Sequence, residues 1–404
     1  MWVWASGYQI GIKQMSGAIV ALILLLFSCL ATAGTVTISS NTSWTAAAPG
    51  AGSTDDVVVT GSGVTLTLGA GSYTFNSITV QSSAVVLVQG IVTLNVTTMS
   101  IDSTSNLNGN GQGSASDTGT GKGNSGIYGG GGGGYGGTGG NGYSGTGGAS
   151  YGTSTQPFAL GSGGGTGGSG AGGSGGGAVK LIVSGTLTVN GIISQNGNNG
   201  SGATYSSGGG SGGSIWISAS TITGAGNIRA IGGNGNSASY SGGGGGGRIA
   251  VYYGTDTFSG NKTAAVITAG GTGYGSGSVG TVVWGPLAAG LLVFTAQPTT
   301  ETVGRIFSVS PVVKAMDATN TFMDTSYSTN ITLTPFKNST CTTAATGINV
   351  VNGTVAPVSG IATFSNAYVN VPSVIYLKAA SGTLTSACTP VKLQVIYKGF
   401  FRGF

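Results

Sequence analysis

Three segments in the middle of the chain repeat one pattern at a nearly constant spacing, and this repeat restricts the fold more than any other feature. Each segment places a glycine run directly before a strand pattern, and the strands begin at Ala178, Ser214 and Arg248, with a weaker fourth at Thr281. Successive strand starts are therefore about 35 residues apart, and a fixed period in this range is typical of stacked repeat architectures.

Within each repeat, apolar and polar residues alternate with the two-residue period of a β-strand. The residues predicted to point inward are Val179, Leu181 and Val183, then Ile215, Ile217 and Ala219, then Ile249, Val251 and Tyr253. An earlier segment matches the first repeat, with Leu94 and Val96 in the places of Leu181 and Val183. The sequence therefore predicts an all-β fold, a right-handed parallel β-solenoid (β-helix) over residues 34–285. The first strands after residue 34 would form its cap.

Composition excludes several classes of protein. With 83 glycines and 5% charged residues among 404, the chain does not resemble an ordinary helical or α/β enzyme. The net charge of +5 comes from scattered Lys and Arg, so the basic stripe of a nucleic-acid-binding protein is absent and no nucleic-acid partner is expected. The apolar fraction of 39%, arranged in alternating strands, favours a packed core over disorder.

The N-terminus has the pattern of a targeting segment. Lys13 precedes the apolar run from Ala18 to Leu30, and the small-residue site Ala31-Thr32-Ala33 follows. This pattern predicts a signal peptide over residues 1–33 that is cleaved after Ala33, and hence export. A transmembrane anchor is the alternative, but the run is shorter than the roughly 20 residues that span a bilayer. A lipoprotein box ending at Cys29 is a further alternative, which Phe27 fits poorly.

Residues 109–177 form the most biased stretch, with tyrosines at 128, 135, 143 and 151 among glycines. One interpretation is a long, partly disordered insertion on one coil of the solenoid. The other uses the near-triplet runs GGTGGN from Gly136 and GGTGGS from Gly164, which suit extended helices with three residues per turn. In the second interpretation the tyrosines would be exposed contact groups.

Glycine becomes sparse after the segment from Gly285 to Gly290, which marks a domain boundary. About seven short strands with turn signals between them predict an immunoglobulin-like (Ig-like) β-sandwich over residues 290–397, followed by a short basic and aromatic tail over 398–404. Cys341 and Cys388 remain after cleavage, and in an exported chain we expect them to form one disulfide. Two separately buried thiols are the alternative.

Two stretches resemble known families. The segments LVFTAQP, VGRIFS, VVKAMDATN, SGIATFS and YLKAASGTLTSA resemble, in that order, the bacterial Ig-like repeats of surface proteins. The middle third, through GGGSGGSIWISASTITGAG and GGGGGGRIAVYY, is similar to the glycine-rich β-helical regions of large secreted bacterial adhesins. These resemblances imply exported surface or matrix proteins with structural or adhesive roles, and they supply no catalytic residues.

The chain offers little catalytic chemistry. It has no histidine, which excludes His-based triads, His general bases and His metal ligands, and no cysteine cluster for zinc. No cofactor or metal is therefore expected. A carbohydrate-active β-helix enzyme, a lyase or glycosidase, remains the alternative, because that fold hosts such enzymes. Its candidate residues would be Asp102, Asp117, Lys180, Arg229 and Arg248, for which the simpler role is that of single solvated charges.

Two surfaces are candidates for binding. Tyr205, Tyr240 and Tyr274 recur at nearly the same interval as the strand starts, which predicts an aromatic ladder on successive coils, with Trp216 outward nearby. These tyrosines either contact a ligand or cover loop glycines. Thr-x-Thr pairs at 35/37, 65/67, 186/188 and 221/223 suggest a minor alternative, an ice-binding solenoid, although threonine is also a common polar residue in strands.

These features together predict a non-enzymatic extracellular or cell-surface protein with a structural or adhesive role. We expect its partners to be cell-surface glycans or matrix components, with membrane attachment of unknown kind.

Overall fold

The computed structural model describes residues 33–202, 205–236, 240–317, 320, 322–324 and 327–397, and the backbone of two short N-terminal strands. Numbered in chain order, these are β1 (Trp4–Ala5) and β2 (Tyr8–Gln9), which pair antiparallel. Apart from them and Ala33, the predicted signal peptide lies outside the described residues, as does the predicted tail 398–404.

A long parallel sheet forms one side of the repeat region. In spatial order, which is also chain order, its strands are β3 (Thr35–Ile38), β5 (Asp56–Thr60), β7 (Gly71–Gln81), β9 (Ile91–Ile101), β11 (Ala178–Val189), β13 (Ser214–Gly224), β15 (Arg248–Phe258) and β16 (Thr281–Pro286). Each strand pairs in parallel with the next, so the chain makes one full coil between neighbours.

A shorter parallel sheet alternates with the long one along the chain. Its strands, again in spatial order, are β4 (Thr42–Trp44), β6 (Thr65–Leu68), β8 (Val85–Val88), β10 (Asn106–Asn108), β12 (Ile192–Ser194) and β14 (Asn227–Arg229). Beyond β14 a single helical turn, α1 (Ala264–Ile267), continues the stack, and the Ile267 carbonyl accepts a hydrogen bond from Ala230 N at 2.7 Å. Two parallel sheets that alternate in this way are the architecture of a β-solenoid.

The register agrees with the repeat spacing. Ala178 pairs with Ser214, Ser214 with Arg248, and Arg248 with Thr281, which are the strand starts predicted from the sequence. Leu94 and Val96 pair with Leu181 and Val183 as predicted. The side chains predicted to point inward are fully buried, except that Tyr253 is half-buried at the edge of the core. Each buried Val, Ile or Leu contributes about 1.5–3 kcal/mol, so the alternation both fixes the register and supplies the core.

The glycine runs form a third layer, a hydrogen-bonded bundle of extended segments without β-ladders. Its central segment, Gly129–Gly134, is buried. Gly130 N and Gly133 N donate to one neighbouring segment, at Ser206 O and Gly209 O, whereas Gly131 N donates to a different one, at Asn124 O. The partner segment therefore recurs every third residue, the period of a polyproline II-type helix.

Six segments surround this central one. Three of them accept its N–H groups and three donate to its carbonyl groups; they are 121–124, 136–140, 145–148, 163–165, 206–209 and 242–245. Residues 109–177 are thus an ordered part of this bundle, which corrects the interpretation as a partly disordered insertion. The glycine runs before β13 and β15 belong to the same bundle, so they are more than turns of the solenoid.

Glycine is required here because the segments lie too close for side chains. A Cβ atom built on Gly132 would lie 1.9 Å from Gly243 O, and one built on Gly130 would lie 2.0 Å from Gly165 O. Both obstacles are backbone atoms that are themselves hydrogen-bonded within the bundle. The glycine content therefore reflects packing between segments, and the buried amides are satisfied by their neighbours.

Residues after β16 form a separate core enclosed by largely antiparallel sheets. One sheet has the order β17 (Leu291–Ala296), β19 (Val312–Met316), β23 (Ile361–Thr363); a second has the order β18 (Thr300–Thr302), β27 (Leu393–Ile396), β25 (Ser373–Ala380), β20 (Ile331–Phe336), β22 (Thr354–Val355), with β26 (Ala387–Cys388) against β25. A further pair is β21 (Val350–Val351) with β24 (Tyr368–Val369). Val313 from the first sheet and Leu377 from the second meet in this core.

No helix among the described residues is long and apolar enough to cross a membrane.

Candidate functional site: a tyrosine patch on the glycine bundle

Five turns at one end of the glycine bundle carry a tyrosine. Among the described residues, Tyr128 and Tyr143 lie in turns of the 109–177 segment, and Tyr205, Tyr240 and Tyr274 lie in the turns of three later coils. We call these five residues the tyrosine patch. The structure brings together the predicted ladder of Tyr205, Tyr240 and Tyr274, and it adds two tyrosines that the ladder did not include.

The five rings of the tyrosine patch form one connected cluster. The ring centroids of Tyr128 and Tyr205 are 5.2 Å apart, and Tyr143 lies 5.9–6.2 Å from Tyr128, Tyr240 and Tyr274. Tyr205 and Tyr240 are 6.1 Å apart. All of these pairs are edge-to-face, a favourable arrangement that contributes about 0.5–1.5 kcal/mol per pair beyond area burial. The cluster therefore holds its rings in fixed orientations.

Much of the tyrosine patch nevertheless faces solvent. Tyr143 is 59% exposed and Tyr274 is 54% exposed, with Tyr128 at 47% and Tyr205 at 38%. Ile127 beside them is 74% exposed. A contiguous exposed apolar surface of this kind, on a monomer, commonly marks an interaction site.

The other tyrosines of residues 109–177 are at the opposite end of the bundle. Tyr135 is fully buried, and its hydroxyl lies 2.6 Å from Ser214 Oγ, while its ring lies 4.8 Å from that of Tyr151. Burial raises the pKa of both phenols. Successive tyrosines of this segment thus alternate between the two ends, since each extended run between them is about 23 Å long at about 3.1 Å per residue. The expectation that all four tyrosines are contact groups is therefore wrong for Tyr135 and Tyr151.

Arg248 connects the end of the bundle that carries Tyr135 and Tyr151 to the solenoid. It is only 8% exposed, and its Nε and Nη2 atoms donate to the Tyr151 carbonyl at 2.9 and 2.8 Å. Its Nη1 donates to Thr281 Oγ1 at 3.0 Å. A residue considered as a catalytic candidate thus has a structural role here.

Trp216 does not join the tyrosine patch. It lies on the outer face of β13, where the Lys180 ammonium sits 3.7 Å from its ring centroid and the Phe158 ring packs edge-on at 6.4 Å. Trp216 and Lys180 line a small cleft together with Leu287, from the segment that marks the domain boundary, and Phe322, from the region after it. Burial lowers the pKa of Lys180, and the charge of Asp317 partly opposes this shift.

The carboxylates considered for catalysis serve as hydrogen-bond acceptors in turns. Asp102 accepts from Ser82 N at 2.7 Å, and Asp117 accepts from Thr166 N at 3.0 Å. Burial raises the pKa of each, but several hydrogen bonds lower it by more, so both pKa values are below their usual range. Arg229 ends β14. Among the described residues, no group of three or more His, Cys, Asp or Glu side chains lies close enough to hold a metal ion.

The threonine pairs occupy two different sheets. Thr186 and Thr188 pair with Thr221 and Thr223, and these continue to Thr255 and Thr257 on β15, a pair that was not predicted from the sequence. The pair at 35/37 lies on the long sheet but is separated from this array by the three strands β5, β7 and β9, and the pair at 65/67 lies on the short sheet. The array therefore covers three neighbouring strands.

The structure contains the disulfide that the sequence predicted: Cys341 and Cys388 are bonded, with their Cα atoms 5.8 Å apart.

The sequence analysis overlooked a ladder of asparagine hydrogen bonds between coils. Asn110 Oδ1 accepts from Asn196 N at 2.7 Å, and Asn196 Oδ1 accepts from Ile231 N at 2.8 Å. The NGN segments at 108–110 and 196–198 were the available signal, although the bonded asparagines are the last residue of the first segment and the first residue of the second.

Comparison of the chain with protein-family models, curated proteins and solved structures finds no match, so the case for this site rests on its geometry.

Proposed function

We propose that this chain is a non-enzymatic, exported cell-surface or extracellular protein with a structural and adhesive role, and that the tyrosine patch is its contact surface. The observation that carries the proposal is the collection of five tyrosines, from turns far apart in sequence, at one end of a rigid glycine bundle. Tyrosine supplies large contact area with few rotatable bonds, which is why it is enriched at binding surfaces.

The rest of the architecture supports a presenting role. The solenoid, for which we propose right-handed winding, is a stiff support, and the region after β16, for which we propose an Ig-like sandwich, would act as a spacer. The disulfide between Cys341 and Cys388 suits an oxidising compartment, which agrees with export. Cell fractionation combined with protease treatment of intact cells tests the location: a chain that stays in the cytosolic fraction would contradict the proposal.

A carbohydrate-active enzyme is the rival function. The use of Asp102, Asp117 and Arg248 in structural hydrogen bonds favours the non-enzymatic proposal. Incubation of the purified chain with a panel of polysaccharides separates the two, because a lyase releases unsaturated uronates and a glycosidase releases reducing ends. Robust turnover by the chain would refute the non-enzymatic proposal.

Adhesion itself is tested with surface-immobilised protein. Replacement of Tyr205 and Tyr240 by alanine should reduce binding of beads to cells or matrix, while replacement of Tyr397 should not, although its side chain is 70% exposed. Failure of the unmodified chain to adhere to any cell or matrix preparation would end the adhesive proposal. Equal adhesion by all variants would show that the tyrosine patch is not the contact surface of the chain.

Ice binding is a second candidate, favoured by the threonine array on β11, β13 and β15. Neighbouring strands lie about 4.8 Å apart and alternate residues along a strand about 6.7 Å apart, so the array presents hydroxyl and methyl groups on a regular lattice. We expect thermal hysteresis in the purified chain that is lost on replacing Thr188 and Thr223 by lysine. An unmodified chain without thermal hysteresis would refute this candidate.

A further inference from the structure

The tyrosine patch continues into a shallow depression on the side of the glycine bundle. Tyr274 forms one margin of this depression, which has a volume of about 600 Å³. Its floor consists largely of glycines; its other lining residues are Thr138, Asn141, Ala149 and Ser276. A volume of this size falls within the range of small-ligand sites in proteins.

The glycines of the floor let a ligand lie close to the backbone. Gly139, Gly140, Gly147 and Gly148 carry no side chains that would hold it away, so flat ligands can approach closely. Their N–H groups are already donated within the structure, so the backbone groups offered to a ligand are carbonyl oxygens, each of which has two lone pairs. Asn141 is fixed in the wall, because its Oδ1 accepts from Gly147 N at 2.8 Å. The Thr138 hydroxyl is likewise held, 2.8 Å from Ser278 Oγ. Hydroxyl, amide and peptide groups therefore line a site whose shape is set by the bundle.

The site carries no charge. None of the residues lining the depression is ionisable except the phenol of Tyr274, and the other members of the tyrosine patch are also phenols. The ligand that matches this chemistry has apolar faces that can stack on aromatic rings and hydroxyl groups that can bond to peptide and amide groups. A neutral pyranose has both, whereas an acidic sugar would lack a cationic partner.

On this basis, and resting on the proposed adhesive function, we propose that the tyrosine patch and the adjoining depression bind a neutral saccharide chain. Tyr143 and Tyr274 stack on successive sugar rings, and the depression receives a ring beside Tyr274. Tyr143 is 59% exposed and Tyr274 is 54% exposed, so part of each ring surface remains open to a sugar ring. The rigid bundle means that little conformational freedom is lost on binding.

The test uses the purified chain and isothermal titration with defined hexasaccharides: cellohexaose, maltohexaose, mannohexaose, chitohexaose and, as the acidic member, hexagalacturonate. We expect at least one neutral hexasaccharide to bind and hexagalacturonate to bind more weakly. Replacement of Tyr143 or Tyr274 by alanine should weaken binding about tenfold each, as expected for loss of one aromatic contact.

Three controls keep the result interpretable. Tyr143→Phe and Tyr274→Phe retain the ring faces and should retain binding, which separates stacking from damage to the fold. Tyr397→Ala should bind as the unmodified chain does. Absence of binding to every neutral hexasaccharide, or affinities unchanged by both alanine variants, would overturn the saccharide proposal.

The bead-adhesion assay distinguishes this failure from that of the proposed function. Adhesion that persists in the absence of saccharide binding overturns the saccharide proposal alone. If the unmodified chain adheres to nothing, the adhesive function fails as well.

Discussion

A methyl group placed at the centre of the glycine bundle should destabilise it strongly. The chosen change is Gly132→Ala, because a Cβ atom there would lie 1.9 Å from Gly243 O, 2.4 Å from Gly243 C and 2.9 Å from Gly244 N. These three atoms belong to the backbone, so no flexible side chain can move aside. Gly132 is also bonded on both sides, from its N to Gly140 O at 2.8 Å and from Gly148 N to its O at 2.9 Å.

The size of the effect follows from three contributions. Overpacking costs about 1–3 kcal/mol. Displacement of the two hydrogen bonds adds about 1 kcal/mol for each bond lost. The reduced freedom of alanine in the unfolded chain offsets about 0.4–1 kcal/mol. We therefore expect Gly132→Ala to lower the free energy of unfolding of the bundle by about 2–4.6 kcal/mol.

The matched control is Gly285→Ala on β16, where a Cβ atom would meet nothing within 4 Å. This control should leave stability within about 1 kcal/mol of the unmodified chain, because only the small backbone effect of alanine remains. Denaturant unfolding measures the global effect, and hydrogen exchange at the Gly132 and Gly148 amides measures the local one. Equal stability and equal amide protection in the two variants would refute the close packing of the bundle.

Three further changes test other contacts. Arg248→Met should lower the free energy of unfolding by about 1–3 kcal/mol, because the partly buried Tyr151 carbonyl loses two charged donors; an unchanged denaturant midpoint would contradict the anchoring role. Joint replacement of Cys341 and Cys388 by serine should destabilise the C-terminal region by up to about 4 kcal/mol, the value that the loop-entropy model gives for a sequence separation of 47. Thermal unfolding of this variant is compared with that of the reduced, unmodified chain. Asp256→Asn should reduce the amount by which the free energy of unfolding falls on acidification. Burial raises the pKa of Asp256, but hydrogen bonds, of which that from Lys262 has the largest effect, lower it by more. The pKa of Asp256 is therefore below its usual value. Its stabilising effect is therefore complete above about pH 4 and is lost as the pH falls through the lower folded-state pKa; identical acid titrations of the two proteins would oppose this assignment.

The Asp256 contacts also show a limit of sequence reasoning. Asp256 accepts from Lys262 Nζ at 2.6 Å and from Trp284 Nε1 at 2.7 Å, yet no sequence pattern gave it a role. One partner is in the following loop and the other is on the next strand of the sheet, and no periodic pattern connects them. A polar contact between a strand and a loop depends on the path of the loop, which only the folded structure defines.

The solenoid core, by contrast, was determined by local sequence. Alternation placed Val179, Leu181 and Val183 inside, and the constant repeat spacing fixed which residues of successive coils are paired. Both follow from short-range rules, because a strand exposes alternate faces and a one-residue slip would turn its apolar face to solvent. Only one disulfide pairing was possible once the predicted signal peptide was removed, but whether Cys341 and Cys388 are bonded or are separate buried thiols was decided by the structure.

The glycine bundle and the tyrosine patch were decided by tertiary structure. Glycine has no side chain, so a run such as Gly129–Gly134 carries no pattern that identifies its six neighbours, and Gly130 finds its acceptor at Ser206 on a later coil. The repeat spacing sufficed to align Tyr205, Tyr240 and Tyr274. It gave no information on Tyr128 and Tyr143, which reach the same end only because the chain reverses direction after each extended run. The sequence alone thus determined which residues stack from coil to coil, while hydrogen bonding between distant backbones decided which turns meet.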